Sequence, residues 1–453
     1  MANIIQTALR ELTYGEKLSS NDCNVPLLLF KLNSLKTTWC VIGILTVVCG
    51  CNLNGSKKKP VSDTLEYIAP VPDQLSNEEY NWYNEILTSY FDSMLLTKNF
   101  NGAVLVAKAG NVLYEKYSGN IHVNKDEPIT DSTSFQLAST SKTFTAVAIL
   151  RLVQENKLKL TDTLGKFFPG LPYYGITVKM LLNHHSGLPN YLYFIADSVW
   201  DKHQNVTNQD VLDLLFSLQP PAVFEPGSRF NYNNSNFVLL ALIIEKLTGK
   251  SYADYMNSKF FKPLHMDHTF VFTAADSARA TPSYNYNNRL WQNDFLEMTY
   301  GDKNIYSTPR DLLKWDQALY TDQLINKQLK DSAFAPYIFN RESLPAVHNY
   351  GLGFHLMLTP TGKKVIFHFG RWHGFNAAFS RLTDEKATII ILGNKFNRNI
   401  YHTALEAYNL FGSYLPHHDV EDEEQDGQAE HKKYGLHKTY KKKMPSKSVK
   451  SKK

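Results

Sequence analysis

The sequence predicts an α+β fold: an antiparallel sheet flanked by terminal helices, with a mostly helical lobe beside it. Three observations carry that expectation. Strand-like runs sit near both ends of the globular part, at residues 102–107 and 112–117 and again at 364–369, 375–381 and 387–392. Between them, from about residue 158 to 358, the pattern is mostly helical with long loops. No alternation of strands and helices appears that would build a parallel wound sheet.

Taken in order, residues 1–31 show no clear period. Lys36 then precedes a short apolar run that ends Val48-Cys49-Gly50-Cys51. The run is too short for a comfortable membrane span and has the size of a signal-peptide core. It starts late for a leader, which leaves open a translation start near Leu32. A polar, Lys-rich stretch follows and suits a tether. Residues 78–96 carry Tyr80, Trp82, Tyr83, Ile86, Leu87, Tyr90 and Phe91 at helical spacing. The turn Ala109-Gly110-Asn111 joins the first two strand runs into a hairpin. From Thr143 to Val153 the one charged residue is Arg151, and a helix apolar nearly all round is a buried one. A second apolar helix spans 237–247 and ends at Gly249, and a final helix covers about 400–411. The expected organisation is a leader over 1–51, a tether over 52–75, one domain over 76–416 and a charged tail over 417–453. That tail holds ten Lys and seven Asp or Glu with few core residues, a composition that predicts disorder.

Composition excludes several classes. The net charge of +5 over 453 residues owes +3 to the tail, and no basic patch with interleaved aromatics marks the body as a nucleic-acid binder. All four cysteines, Cys23, Cys40, Cys49 and Cys51, precede the globular part. It therefore has no disulfide, cysteine nucleophile or thiolate ligand. His184-His185 and His417-His418 come without a His-x-x-x-His spacing or a carboxylate set, so no metal and no other cofactor is expected.

The chemistry centres on Phe135-Gln-Leu-Ala-Ser139-Thr-Ser-Lys142-Thr-Phe144. On a helix Ser139 and Lys142 share a face, about 4.5 Å apart along the axis. Burial of Lys142 in the apolar helix disfavours its charged form, and a neutral amine beside a hydroxyl makes a base and its nucleophile. A second Ser-x-x-Lys, at Ser56, has no apolar helix behind it.

Further segments give this pair its partners: His184-His-Ser-Gly-Leu188, Glu225-Pro-Gly227 with Tyr232-Asn-Asn234, Ser307-Thr-Pro-Arg-Asp311-Leu312, Tyr350-Gly-Leu-Gly-Phe354 and His368-Phe-Gly370. Two other Tyr-x-Asn matches, at Tyr255 and Tyr286, lack the Glu-Pro-Gly before and the apolar helix after. In this order the segments resemble the serine β-lactamase and penicillin-binding superfamily, near class C β-lactamases, D-alanyl-D-alanine carboxypeptidases and related esterases. The likeness covers about residues 76 to 415 and implies a β-lactamase/transpeptidase-like fold.

The resemblance implies that Ser139 forms an acyl-enzyme, with Lys142 or Tyr232 receiving its proton. A tyrosine near an ammonium can ionise below its usual pKa of about 10. Asn234 would bind the substrate amide and hold Lys142. The backbone N–H groups of Ser139 and Arg371 would receive the oxyanion, and Gly370 would let substrate approach an edge strand. Many members carry a Lys where this chain has His368, a weaker, pH-dependent charge for a substrate carboxylate. An esterase or DD-peptidase is therefore expected over an efficient β-lactamase. His185 stands where Thr is usual, in a segment read as a structural turn. Val48-Cys-Gly-Cys51 resembles a bacterial lipoprotein box, which implies lipidation of Cys51 and an exported, membrane-anchored protein of the periplasm or cell surface. The competing reading is a catalytically silent module that recognises peptidoglycan or peptide ends. The substrate is a small molecule or a peptidoglycan fragment, and the sequence leaves the oligomeric state open.

Overall fold

The computed structural model describes residues 67–195, 200–339, 347–359 and 361–414. The expected leader with Cys51, the decoy Ser56 and the charged tail lie outside the described residues. Among the described residues no helix is long and apolar enough to cross a membrane.

The strands are β1 (Gly102–Lys108), β2 (Asn111–Ser118), β3 (Phe135–Gln136), β4 (Phe270–Val271), β5 (Ile305–Ser307), β6 (His348–Tyr350), β7 (His355–Leu358), β8 (Lys364–Trp372), β9 (Phe375–Leu382) and β10 (Ala387–Gly393). Seven of them form one antiparallel sheet in the order β2-β1-β10-β9-β8-β7-β6. The N-terminal hairpin thus docks on the C-terminal strands, Val104 opposite Ile391. A small second sheet has the order β3-β5-β4.

Both faces of the large sheet are covered, which is why its central strands are apolar at nearly every position. Along β10, Ile389 and Ile391 face one core and Ile390 and Leu392 the other, the two-residue period of a strand. The first core is closed by the terminal helices α1 (Asn77–Met94) and, at the other end of the chain, the Asn399–Glu406 helix, through Leu87, Phe91, Ile400 and Ala404. Ser76 caps α1 by accepting from Glu79 N at 3.0 Å. The second core joins the sheet to the helical lobe. Its centre is α2 (Ser141–Gln154), buried from Ser141 through Leu150. Around it lie α3 (Asn208–Leu218), α4 (Asn234–Thr248) and α5 (Pro309–Tyr320). Gly249, at φ +67°, ends α4 in the left-handed conformation that favours glycine. The Thr308-Pro-Arg-Asp311 segment is a helix start: Thr308 Oγ1 accepts from Asp311 N at 3.2 Å, with Pro309 in the first turn. A buried ion pair, Arg381 Nε to Asp316 Oδ1 at 2.5 Å, pins α5 to the sheet.

Two parts differ from the sequence expectation. The stretch read as helical to residue 358 contains β4 and β5 of the small sheet and the β6–β7 hairpin, whose strands of two to four residues are too short to show a period. Tyr350-Gly-Leu-Gly-Phe354 is the turn of that hairpin. Gly353 sits at φ +84° where a Cβ would overlap Ala146 of α2. Residues 68–73, expected in the tether, are held on the body: Ile68 exchanges two 2.7 Å hydrogen bonds with the Gln323 side chain, and Asp73 N donates to Ala109 O.

Candidate active site

The serine sits in a short 3-10 turn, Ala138–Thr140, that opens α2. Ala138 lies at φ +47°, a left-handed conformation that costs an L-residue roughly 1–2 kcal/mol. The turn is over-determined by its surroundings. Leu137 N donates to Ile305 O at 2.8 Å, and Thr140 Oγ1 donates to His368 O at 3.0 Å. Strand β7 pairs with β8 only as far as Phe367, so from His368 onward that edge of β8 meets the serine turn. Gly370 makes the approach possible: a Cβ there would overlap the Leu137 carbonyl oxygen and stand 3.0 Å from Ser139 N. Its glycine requirement thus comes first from seating the nucleophile.

Lys142 follows Ser139 by one helical turn and is fully buried. Its Nζ donates to Ser139 Oγ at 3.1 Å, Asn234 Oδ1 at 2.7 Å and the backbone oxygen of Asp302 at 2.9 Å. Burial drives its pKa down to about 7, with the Asp302 carboxylate opposing and the Lys303 ammonium adding to the fall. The amine also lies 4.9 Å from the centre of the Tyr232 ring. Burial raises the Tyr232 phenol above its ordinary pKa, the Asp302 carboxylate adds to the rise, and a hydrogen bond with Ser139 pulls the other way. The expectation of an easily ionised tyrosine is therefore corrected: desolvation of the phenol dominates, and the depressed pKa of Lys142 leaves little ammonium charge to oppose it.

Tyr232 and Asn234 reach the site through a loop stitched to the His184 segment. Asn231 N donates to His184 O and Gly227 N to His185 O. His184 Nδ1 accepts from Asn233 N and Asn236 Nδ2, both at 3.1 Å. Its Nε2 has no hydrogen-bond partner among the described residues, and the imidazole packs among aromatic rings, Tyr232 at 4.4 Å and Tyr350 at 4.8 Å between centroids. His185 is half-buried and turns back to Asn183 O at 2.8 Å. The other Tyr-x-Asn matches sit in a short helix (Tyr255) and at the surface (Tyr286, 71% exposed).

His368 departs most from expectation. It is 1% exposed, packed 4.8 Å from the His355 ring and 6.3 Å from the Tyr232 ring. Nδ1 donates to Phe369 O at 2.7 Å, and Nε2 accepts from Tyr350 OH at 3.1 Å. Burial, then His355 and Lys142, hold its pKa well below the ordinary value. His368 is neutral and presents no charge to a substrate carboxylate. Arg371 is placed by the hairpin that follows. The two-residue turn His373-Gly374 makes Trp372 and Phe375 a pair. Strict alternation from there directs the peptide groups of Trp372 and Gly370 toward β9 and that of Arg371 away from it, to the side of the serine turn.

Sequence reasoning missed Asp302, whose backbone oxygen receives Lys142, together with Lys303; it singles out Tyr350 only within its Gly-Leu-Gly segment, without the hydroxyl's bond to His368. The one signal for the first two was an adjacent pair of opposite charges, Gly301-Asp302-Lys303-Asn304, just before the apolar strand β5. It also missed a polar group at the β8–β9 tip: Asp294, Glu297 and His373 bring one ligand-type atom each within 4.8 Å of one another. Glu297 there already accepts from His373 Nε2 at 2.5 Å and Trp372 Nε1 at 2.9 Å.

An antiparallel sheet with a helical lobe, and a serine on the first turn of the buried helix between them with a lysine one turn on, define the architecture of the serine β-lactamases and their penicillin-binding relatives. The Beta-lactamase family model matches residues 92–411. A penicillin-binding protein of Bacillus subtilis (strain 168) is 35% identical over 337 residues, 70% of this chain and 73% of that one. Among solved structures, the octameric penicillin-binding protein homologue of Pyrococcus abyssi superposes with a TM-score of 0.62 at 25% identity, over 73% of this chain and 76% of that one. The D-amino acid amidase of Ochrobactrum anthropi SV3 shares the fold, with a TM-score of 0.59 at 23% identity over 74% of this chain and all of that one. The chain belongs to the serine β-lactamase and penicillin-binding protein superfamily.

Proposed function

We propose that this protein is a serine acyl hydrolase acting through an acyl-enzyme on Ser139. The observation that carries the reading is a fully buried amine with its pKa near 7, 3.1 Å from the serine oxygen. In its neutral form Lys142 keeps its two hydrogens on Asn234 Oδ1 and the Asp302 backbone oxygen and turns its lone pair to Ser139, whose proton it takes as Oγ attacks the acyl carbon. Tyr232, protonated, donates to the leaving group. The N–H groups of Ser139 and Arg371 receive the oxyanion, and Asn234 holds Lys142 and meets the substrate amide. Water then releases the acyl group. The substrate is a small ester, an amide or a D-amino-acid peptide derived from peptidoglycan, in keeping with the B. subtilis relative's name as a penicillin-binding protein. A neutral His368 gives no cation for a β-lactam carboxylate, which favours an esterase or DD-peptidase over an efficient β-lactamase.

The test is a turnover panel of p-nitrophenyl esters, nitrocefin and D-Ala-D-Ala peptides, run beside a fluorophosphonate label on the wild type and Ser139→Ala. Turnover and label lost together in the variant support the reading. Penicillin or peptide bound without turnover or covalent label would favour a silent recognition module.

We also propose export and anchoring through a lipid on Cys51, supported by the apolar run that ends in Cys49-Gly50-Cys51. Cys51→Ser should abolish incorporation of a palmitate analogue and release the protein from membranes. Labelling unchanged in that variant would contradict the anchor.

A further inference from the structure

Behind Lys142 lies a polar segment that acylation does not itself use. Residues 299–304 are held at several points. Thr145 Oγ1 donates to Gly301 O at 2.7 Å, and Gly301, at φ +92°, sits where a Cβ would come within 2.5 Å of Phe237 O. Asn304, at φ +74°, donates its amide to the Glu297 and Thr299 oxygens and accepts from Gln136 Nε2 at 2.7 Å. The outcome is a fixed Asp302 carbonyl on the lysine amine. The side chains of the same segment form a network in which Thr299 Oγ1 bonds both Lys303 Nζ and Tyr191 OH. Lys303 Nζ donates to Tyr191 OH at 2.8 Å, and Tyr191 OH donates to Asp302 Oδ2 at 2.7 Å. The two charges stand 3.8 Å apart with side chains 3% exposed, and the Trp372 ring covers Lys303 Nζ at 4.6 Å.

A buried ion pair adds little net stability, because desolvation consumes most of its attraction. What it does supply is a field at the nearest titratable group. Ser139, Tyr232 and Asn234 face Lys142 from their own elements, as do the Phe237 ring and the neutral imidazoles of His184 and His368, with His355 beside these two. Glu297 and Asp294 act on Lys303 from beyond. The Asp302–Lys303 pair adjoins the Lys142 amine through the Asp302 backbone oxygen at 2.9 Å, its carboxylate raising the lysine pKa and its ammonium lowering it.

We propose that Asp302 and Lys303 are paired positioning residues that set the protonation of Lys142 from behind, the carboxylate holding its proton and the ammonium expelling it. This rests on the reading of Lys142 as the base for Ser139. Neither side chain touches substrate, so the pair tunes the pH at which the serine can be activated and leaves substrate binding alone.

The experiment reads the acid limb of kcat/KM and, separately, the titration of Lys142 by NMR of protein labelled with 13C at the lysine ε carbon. The signal is assigned by its loss in Lys142→Met. Asp302→Asn, which keeps the backbone carbonyl and an acceptor for Tyr191, is expected to move both limb and NMR midpoint down by about one pH unit. Lys303→Gln should move both up by a similar amount, and the double variant should return them close to the wild-type values. Lys303→Arg, which retains the charge, should leave them in place. KM is expected to change little throughout. Shifts in one direction for both single variants, no shift in either, or a Lys303→Arg shift as large as that of Lys303→Gln would overturn the proposal. The NMR midpoints decide it even if the wild type turns nothing over, a result that would count against the hydrolase reading alone.

Discussion

Replacing Lys142 by Met gives a stability signature that needs no substrate. The thioether side chain fills much of the same space and removes the titrating amine. In the folded chain burial brings that amine from 10.5 to about 7, while in the unfolded chain it titrates near its ordinary value of about 10.4. Between those two values the unfolded chain binds a proton that the folded chain does not. The sign follows: this group opposes folding at neutral pH, and stability rises with pH through the window by about 1.4 kcal/mol per unit. The whole depression corresponds to about 5 kcal/mol, and the part between pH 7.5 and 9 to about 2 kcal/mol. Lost hydrogen bonds to Asn234 and Asp302 lower the stability of the variant by an amount that does not vary with pH. Lys303, also depressed by burial, is present in both proteins and cancels in the difference. Urea unfolding of wild type and Lys142→Met at fixed ionic strength, followed by tryptophan fluorescence, measures the gap. The gap should move in favour of the wild type by about 2 kcal/mol from pH 7.5 to 9. Parallel pH dependences, or a drift the other way, would refute a depressed Lys142.

Other consequences are as direct. The acid limb of kcat/KM should fall near pH 7, rate rising as Lys142 loses its proton, and Lys142→Ala should remove that limb along with the activity; a limb unrelated to Lys142 would show up in the residual rate. Gly370→Ala should cost about 10²-fold or more in kcat, because the new methyl pushes Leu137 and the Ser139 N–H out of line; near-normal kcat would mean that the turn yields freely. His368→Lys buries a cation among Tyr350, His355 and Tyr232, and urea unfolding should show a loss on the order of 4 kcal/mol at neutral pH with no gain in kcat/KM for anionic β-lactams.

The large sheet and its two core faces were legible because long strands and helices repeat their apolar pattern many times. The β6–β7 hairpin was not, since His348–Tyr350 and His355–Leu358 are too short to show a period. Ser139, Lys142, Tyr232 and Asn234 could be picked out because their side chains are the reactive groups and their segments are specific in order. Asp302 meets Lys142 through its backbone oxygen, a contact with no sequence signature. The identity of His368 was readable but its charge was not, because only the packed structure reveals how completely it is desolvated. The same applies to Tyr232, where the nearby amine was foreseen and the burial that dominates it was not.

The central claim is a covalent acyl intermediate on one serine. Intact-protein mass spectrometry of the wild type mixed with a slow acyl donor, followed by peptide mapping, reads it directly. The account predicts a single adduct of the acyl mass on Ser139, missing in Ser139→Ala together with all turnover. An adduct on any other residue, or turnover that survives Ser139→Ala, would contradict it.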